Sequence, residues 1–230
     1  MTNDFFKGLK VIELASVLAG PAVGMFFAEL GAEVIKVENK LTGGDITRKW
    51  KLPNEDPSGA YSGYYCCVNW GKKTVLKNLK DPGEQQSVVQ LIQSADIVIS
   101  NFKVSSAKRF GMDFESVRPI NPTIIYAQLH AFGPEEERPA YDIVLQAEAG
   151  FLHMCGEKGG NPVKMPVALI DLIAAHQLKE AILIALIKRL RTGEGSYVET
   201  SLFESAIASL ANQATNWLMA GHLPQRMGTK

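Results

Sequence analysis

The chain has 230 residues, of which 24 are Lys or Arg, 24 are Asp or Glu and 46% are hydrophobic. This is the composition of an ordinary globular protein with one sizeable core or two modest ones, and it excludes a disordered chain. Balanced charge provides no general attraction to nucleic acid or to an anionic membrane, so we predict neither as a partner. Since no secretory signal is visible and the longest apolar run, residues 181–187, is too short for a membrane span, we expect a cytoplasmic location.

The first half of the chain alternates strand and helix patterns. Residues 9–14, 20–30 and 33–37 predict a strand, a helix and a second strand, which is a βαβ unit. Two further strands, residues 96–100 and 123–128, follow helical stretches at residues 82–94 and 105–117. The pattern predicts an α/β fold with a Rossmann-like, mainly parallel sheet flanked by helices. The long connection at residues 39–74 is typical of a functional loop.

The second half is mainly helical. Residues 172–190 predict a long apolar helix, followed by a turn and a strand at residues 196–200. Ser201 and Glu204 form a capping box for a helix that is expected to reach about residue 220. We therefore predict a large domain at residues 1–200, and at residues 201–230 a helix and the start of a linker to an absent second domain.

Asp171 precedes the long apolar helix, and this position is consistent with two roles. A helix start offers unpaired backbone N–H groups and the positive end of the helix dipole, so we expect the carboxylate to stay ionised there. It could be a simple N-cap or a carboxylate nucleophile, and the local pattern leaves both open. The chain has no GxSxG elbow and no P-loop. The absence of these motifs leaves a carboxylate as the candidate nucleophile.

Other motifs bear on cofactors and ligands. The three cysteines lack CxxC spacing and the four histidines lack HxxxH spacing, so no metal is expected. The first βαβ unit resembles a dinucleotide-binding unit with Glu38 as a ribose ligand, but residues 18–24 lack GxGxxG, which disfavours NAD. Basic residues recur in the loops, several at predicted strand ends, where a polyphosphate would suit them. They are Lys36, Arg48, Lys72, Lys73, Lys103, Lys108 and Arg109.

Four segments together resemble the class III CoA-transferase family, which includes formyl-CoA and carnitine CoA-transferases and α-methylacyl-CoA racemases. They are residues 8–38 (with LAGP and LGAEVIKVE), 69–80 (NWGKKTVLKNLK), 96–126 (with DIVISNF) and 168–205 (with ALIDL). The resemblance covers almost the whole chain. It implies coenzyme A or acyl-CoA as a substrate rather than a permanently bound cofactor, with a carboxylic acid as acceptor.

The resemblance also implies roles for individual residues. Asp171 matches the catalytic aspartate, which attacks the acyl-CoA thioester and passes CoA on through an anhydride and an aspartyl-CoA thioester. Tyr141 and Asp142 match a pair that faces this aspartate. Val17, Ala19, Asn101, Phe102 and Arg109 match positions that contact CoA, and we add Arg48 and Lys73 from the basic loop residues as further candidates for its phosphates.

Two alternatives to CoA transfer stay open. Racemases of the family carry a histidine where this chain has Tyr141, and a tyrosine is a poor base near neutral pH, so transfer is favoured over racemisation. The other alternative is a CoA-binding module without catalysis. Family members continue into a second domain and form interlocked dimers, so the fold is expected to be incomplete relative to the family. A homodimer, or a partner that supplies the missing half, is expected.

Overall fold

The structure, a computed structural model, describes residues 4–229. It divides into two compact units, which are described separately. The first comprises the chain up to Leu129 together with Leu178–Glu199, and the second comprises His130–Gln177 together with the residues from Thr200 onward. The predicted domain boundary at residue 200 stays a prediction. Within residues 4–229, no helix combines the length and the apolar character that crossing a membrane requires.

A six-stranded sheet forms the centre of the first unit. Neighbouring strands lie in the order β3-β2-β1-β4-β5-β6, and the pairs β1–β2, β1–β4, β2–β3 and β4–β5 are parallel. This arrangement confirms the predicted Rossmann-like, mainly parallel sheet. The strands are β1 (Lys10–Leu14), β2 (Glu33–Asn39), β3 (Lys73–Lys77), β4 (Ile97–Ser100), β5 (Ile125–His130) and β6 (Ser196–Ser201).

The central strands are apolar on both faces because helices cover both faces of a parallel sheet. Ile12 and Val98 are fully buried in one hydrophobic cluster that includes Val88 and Ile92 of α3. The helices along the chain are α1 (Ala19–Glu29), α2 (Gly63–Cys66), α3 (Pro82–Gln93), α4 (Val104–Arg109), α5 (Phe114–Val117), α6 (Asp142–Glu148), α7 (Phe151–Met154), α8 (Leu169–Thr192), α9 (Leu202–Ser209) and α10 (Asn212–Ala220).

The structure differs from the predicted elements at three places. The strand β3 was not predicted, because two of the five residues in its sequence KTVLK are charged and all five are exposed or half-buried at the edge of the sheet. The helix predicted at residues 105–117 is two short helices, separated near Gly111, whose φ is +61°. The last predicted helix is also two, α9 and α10, because the chain turns at Ala211 with a φ of +46°.

The predicted cap by Ser201 and Glu204 is confirmed at the start of α9, with the Glu204 carboxylate bound to the Ser201 hydroxyl. The Ser201 hydroxyl accepts the backbone N–H of Glu204 at 3.0 Å and donates to the Glu204 carboxylate at 2.8 Å. The prediction for the long helix was less accurate: α8 begins at Leu169, so Asp171 is its third residue rather than its N-cap. The group that caps α8 comes from elsewhere in the chain, as described below.

Candidate functional site

The carboxyl ends of β1 and β4 mark the predicted ligand-binding edge of the first unit. These two strands are neighbours although they are not consecutive, so the sheet order reverses between them, and open α/β sheets bind ligands at such a point. A cavity of about 460 Å³ lies there, within the usual range for a small-molecule site. The cavity is lined by Leu14 at the end of β1, by Ser16 just after that strand, and by Asn101 and Phe102 after β4.

Three lysines give the cavity a positive rim. Lys77 is the last residue of β3, Lys80 follows that strand, and Lys103 follows β4. Within residues 4–229 none of these ammonium groups has a carboxylate partner within 4 Å. Sequence reasoning missed Lys77 and Lys80 because it missed β3, whose carboxyl end puts them at this edge of the sheet.

Only some of the predicted CoA-contacting residues line the cavity. Asn101 and Phe102 line it, whereas Val17 and Ala19 lie just beyond Ser16, in the loop between β1 and α1 and at the first residue of α1. Arg109 is exposed on α4, with its guanidinium 4.9 Å from the ring of Phe110, which lines the cavity. The helix α1 has no side-chain cap at its start. Its first turn therefore offers N–H groups suited to an anion.

Arg48 is engaged within the protein. Its guanidinium makes two bonds to the Glu38 carboxylate, at 2.7 and 2.8 Å, donates to the Tyr65 hydroxyl at 2.6 Å and stacks over the Tyr65 ring at 3.9 Å. Glu38 also accepts the backbone N–H of Asp45 at 2.8 Å and is only 4% exposed. Glu38 is thus committed to these partners rather than to a ribose.

Lys73 is not brought together with the cavity residues. It is the first residue of β3, and Lys77, which lines the cavity, is the last. At about 3.3 Å per residue the two lie about 13 Å apart along the strand. The Lys73 ammonium pairs with Glu33 at 2.7 Å at the amino edge of the sheet. This pairing lowers the pKa of Glu33.

Two other basic residues from the predicted group are buried in an ion network. Lys36 pairs with Glu13 at 2.8 Å and with Asp45 at 3.1 Å, and Lys72 pairs with the second oxygen of Glu13 at 2.7 Å. Burial lowers the pKa of Lys72 to about 8 despite Glu13. For Lys36 burial acts in the same direction, but the charges of Glu13 and Asp45 outweigh it and raise the pKa. These lysines therefore serve the interior and not a phosphate.

Sequence reasoning missed this network, although a signal was present. Glu13 and Lys36 each interrupt an otherwise apolar strand, in LKVIEL and EVIKV. Charged residues inside buried strands need partners of opposite charge. The network also explains Gly24 of α1: a Cβ atom there would lie 1.9 Å from a Glu13 carboxylate oxygen. A helix residue with any side chain cannot occupy that position without displacing Glu13.

In the second unit, Asp142 caps the helix that carries Asp171. The Oδ2 atom of Asp142 accepts the backbone N–H groups of Ile170 at 2.7 Å and of Asp171 at 3.1 Å. Its Oδ1 atom accepts from the side-chain amide of Gln146, one turn further along α6. The side-chain Oε1 atom of Gln146 accepts the backbone N–H of Met165 at 2.9 Å. Two side chains of α6 thus hold the segment that leads into α8.

Asp171 is buried and electrostatically disfavoured as an anion. It is 8% exposed, and burial together with the charge of Asp142 raises its pKa to about 7. The expectation that the helix start would keep Asp171 ionised is therefore wrong. The N–H groups of Ile170 and Asp171 are bonded to Asp142, so they do not solvate the carboxylate of Asp171.

The remaining predicted catalytic residue, Tyr141, immediately precedes α6 as its N-cap residue. It is 58% exposed, in contrast with the buried Asp142 next to it. Gln146 was not predicted, but the spacing of four residues between Asp142 and Gln146 on one helix could have indicated that they interact. The structure thus brings Asp142 and Asp171 together and adds Gln146 to them.

Comparisons with known proteins agree with this architecture. The chain is 40% identical over 228 residues to a succinate–glutarate CoA-transferase of Agrobacterium fabrum, an alignment that covers 96% of this chain and 57% of that protein. It is 35% identical to a human succinyl-CoA:glutarate CoA-transferase, covering 97% of this chain and 51% of that protein. The chain therefore spans a little over half the length of these relatives.

A solved structure is also similar. The crystal structure of a CAIB/BAIF family protein from Brucella suis superposes with a TM-score of 0.90 at 40% identity, covering 96% of this chain and 59% of that one. The sequence profile of CoA-transferase family III matches residues 6–230, which is nearly the whole chain. The chain belongs to CoA-transferase family III.

Proposed function

We propose that this chain takes part in CoA transfer, with the first unit binding the nucleotide portion of an acyl-CoA and the second unit supplying Asp171 as the nucleophile. The observation that carries the proposal is the carboxyl group of Asp171, buried at the start of α8 next to the carboxylate that caps this helix. Tyr141 and Asp142 are proposed to accompany it in the reaction, with Asp142 as the residue that fixes its position.

The proposed reaction has four displacements. The Asp171 carboxylate attacks the thioester carbonyl, forming an acyl-aspartyl anhydride and releasing CoA as a thiolate. The thiolate attacks the aspartyl carbonyl, which gives an aspartyl-CoA thioester and frees the first carboxylate. The acceptor carboxylate then attacks this thioester and releases the thiolate again, with a second anhydride left on Asp171. The thiolate finally attacks the acyl carbonyl of that anhydride, so that the new acyl-CoA leaves and Asp171 is regenerated.

The environment of Asp171 suits a nucleophile. A carboxylate with a raised pKa is a stronger base than an ordinary aspartate, and one without a full hydration shell needs less desolvation before it attacks. With a pKa of about 7, roughly half of these groups are ionised at neutral pH. Exclusion of water also protects an anhydride from hydrolysis.

The cavity of the first unit suits the nucleotide of CoA. Its rim carries Lys77, Lys80 and Lys103, whose positive charges are complementary to the negative phosphate groups. We propose contacts to CoA from Val17, Ala19, Asn101, Phe102 and Arg109 as well. The proposal does not use the two other sequence-based candidates, because Arg48 is bound to Glu38 and Lys73 is bound to Glu33.

Racemisation is a second candidate because a carboxyl group with a pKa of about 7 also suits proton transfer. Incubation with a chiral 2-methylacyl-CoA in deuterated water separates the two reactions. Racemisation introduces deuterium at the α-carbon, whereas CoA transfer leaves the α-carbon unlabelled.

The names of the relatives suggest the first substrates to test, succinyl-CoA as donor and glutarate as acceptor. We propose that the active form is a homodimer, or an assembly with the portion of the relatives' length that this chain does not span. Sedimentation analysis at several protein concentrations, with and without CoA, tests the assembly.

The decisive experiment is mass spectrometry of the protein after succinyl-CoA and hydroxylamine treatment. Hydroxylamine converts an aspartyl thioester or anhydride to a hydroxamate, which we expect on Asp171. The Asp171→Asn variant should show no adduct, and Glu115→Gln, which changes an exposed carboxylate on α5, should react as the unaltered chain does. The mechanism would be refuted if a substrate turns over while the hydroxamate forms on another residue or does not form. Saturable CoA binding without turnover or adduct would identify a non-catalytic module.

A further inference from the structure

The loop between β1 and α1 contains a strained residue. Val17 has a φ of +74°, and within residues 4–229 only Val17 and Ala211 show positive φ without being glycine. For a β-branched residue this conformation is a strained outlier. Such a conformation persists only where the surrounding structure fixes it.

Two side chains fix the loop at consecutive residues. The Asp45 carboxylate accepts the backbone N–H of Val17 at 3.2 Å. Asn101 makes two bonds to Ser16: its Oδ1 atom accepts the Ser16 N–H at 3.2 Å and its Nδ2 atom donates to the Ser16 carbonyl at 3.0 Å. The loop is thus held from the segment after β2 and from the segment after β4.

Asp45 is itself held in one orientation. Its Oδ1 atom accepts the N–H and the hydroxyl of Thr47, at 3.0 and 2.8 Å, and its Oδ2 atom lies 3.1 Å from the Lys36 ammonium. The Lys36 ammonium also donates to the carbonyl of Ala15 at 2.7 Å, two residues before Val17. The Lys36 and Asp45 side chains are both fully buried.

Core stability alone does not account for this arrangement. A buried ion pair contributes little compared with apolar side chains of the same volume, because both charges lose their hydration. The pair instead acts on backbone atoms of the one loop whose residues Ala15 and Ser16 form a wall of the cavity. What it fixes is the shape of that wall.

We propose that the Lys36–Asp45 pair positions the β1–α1 loop, holding Val17 in its left-handed conformation so that the cavity wall has the shape that receives the CoA nucleotide. The inference rests on the proposed function of the cavity. It makes Lys36 and Asp45 positioning residues that act on the ligand through the backbone of residues 15–17. Asp45 lines the cavity, but its side chain is fully buried and its carboxylate is bound to Val17, Thr47 and Lys36.

Glycine at position 17 tests this role, because glycine adopts a φ of +74° without strain. We expect Asp45→Ala to weaken CoA binding about tenfold in calorimetric titration, as the loop relaxes from the strained shape. The double variant Val17→Gly/Asp45→Ala is compared with Val17→Gly, so that any contact of the Val17 side chain with CoA is absent from both. In that background Asp45→Ala should cost at most half as much affinity, on a logarithmic scale, as it costs in the unaltered chain. In turnover assays KM for acyl-CoA should rise with kcat nearly constant.

The matched control is Ala211→Gly, which relieves the other positive φ, in the second unit. It should not restore CoA binding to Asp45→Ala. If Asp45→Ala does not fold, the isosteric Asp45→Asn replaces it, with a smaller loss of affinity and the same rescue by Val17→Gly. The positioning role is overturned if the Asp45 variants bind CoA with unchanged affinity. It is also overturned if neither Val17→Gly nor Ala211→Gly restores CoA affinity, or if both do. Failure of the unaltered chain to bind CoA overturns the proposed function instead.

Discussion

Asp142 and Asp171 are joined by a backbone hydrogen bond: the Oδ2 atom of Asp142 accepts the N–H of Asp171 at 3.1 Å. Asp142 is thereby the capping group of α8, and Asp171 is left with a buried carboxyl that the helix start does not solvate. The Asp142 carboxylate receives the stabilisation that a helix N-terminus offers, whereas Asp171 has a raised pKa. The two acids thus have different chemical properties although they share one helix start.

The raised pKa of Asp171 has a consequence for stability. The folded-state pKa is about 7 and the usual value is 3.8, so between these pH values the folded state keeps a proton that the unfolded state loses. The contribution of Asp171 to stability therefore falls as pH rises through this window and stays low above it. A rise in pKa from 3.8 to about 7 corresponds to a cost of about 4 kcal/mol at most.

Asp171→Asn removes this cost, since the amide is neutral at every pH in the window. We expect the variant to be more stable than the unaltered chain at pH 8, by about 1–4 kcal/mol, and nearly equal to it at pH 4. Urea denaturation at both pH values measures the difference. A stability difference that is the same at pH 4 and pH 8 would show that Asp171 titrates normally.

Asp142 has two separable effects on its neighbour. Asp142→Asn removes the negative charge but keeps an oxygen that can accept an N–H, so the pKa of Asp171 should fall while α8 stays capped. Burial, the larger cause of the raised pKa, remains, so the pKa should stay above 3.8. Carbon-13 NMR titration of the Asp171 carboxyl measures this.

Asp142→Ala is the matched variant, because it removes the cap as well as the charge. It should lower the free energy of unfolding by about 1–2 kcal/mol more than Asp142→Asn does. A pKa of Asp171 that stays at about 7 in both variants would contradict the role of the Asp142 charge and leave burial as the sole cause of the raised pKa.

The fold could largely be predicted from the sequence because its signals are local. The buried strands β1 and β2 follow from apolar runs, and the cap of α9 follows from the spacing of three residues between Ser201 and Glu204. β3 could not be recognised, since an edge strand with lysine at both ends has no apolar signature. The turn at Ala211 lacked a signal too, because alanine seldom adopts a positive φ.

The site was less accessible to sequence reasoning because its decisive contacts are non-local. Asp142 and Asp171 are 29 residues apart, and the pairing that changes the pKa of Asp171 cannot be inferred from the residues around either one. For the same reason Lys36 was grouped with loop cations, although it is buried between Glu13 and Asp45. Residue type identified the candidates, and only the fold showed which charges were already paired.

The three lysines at the cavity rim should contribute additively to CoA binding. Each of Lys77→Ala, Lys80→Ala and Lys103→Ala should weaken CoA binding about two- to fivefold, the range of an exposed charge pair. The losses should shrink in high salt, because screening weakens exposed charges. Titration with CoA at low and high salt gives both quantities.

Lys73→Ala is the comparison for these variants, because Lys73 lies on the same strand as Lys77 but at its opposite end. Its ammonium is bound to Glu33, and we expect CoA affinity within about twofold of the unaltered chain. A loss as large as that of Lys77→Ala would instead support the sequence-based assignment of Lys73 to the ligand.

Arg48 distinguishes a structural cation from a ligand-binding one. Its side chain is 14% exposed and that of Glu38 is 1% exposed, so Arg48→Ala leaves a buried carboxylate without its charge partner. We expect a loss of about 2–4 kcal/mol in the free energy of unfolding, measured by urea denaturation. Arg48→Lys should recover only part of it, since lysine cannot make the two parallel bonds to Glu38.

Adding Glu38→Gln to Arg48→Ala removes the unpaired charge and should restore part of the stability. CoA affinity, measured at a temperature where each variant is fully folded, should change in parallel with the free energy of unfolding and should recover in the double variant. The contrary outcome is weaker CoA binding by Arg48→Ala, in a protein as stable as the unaltered chain, that Glu38→Gln does not reverse. This result would show that the guanidinium leaves Glu38 and contacts the ligand directly.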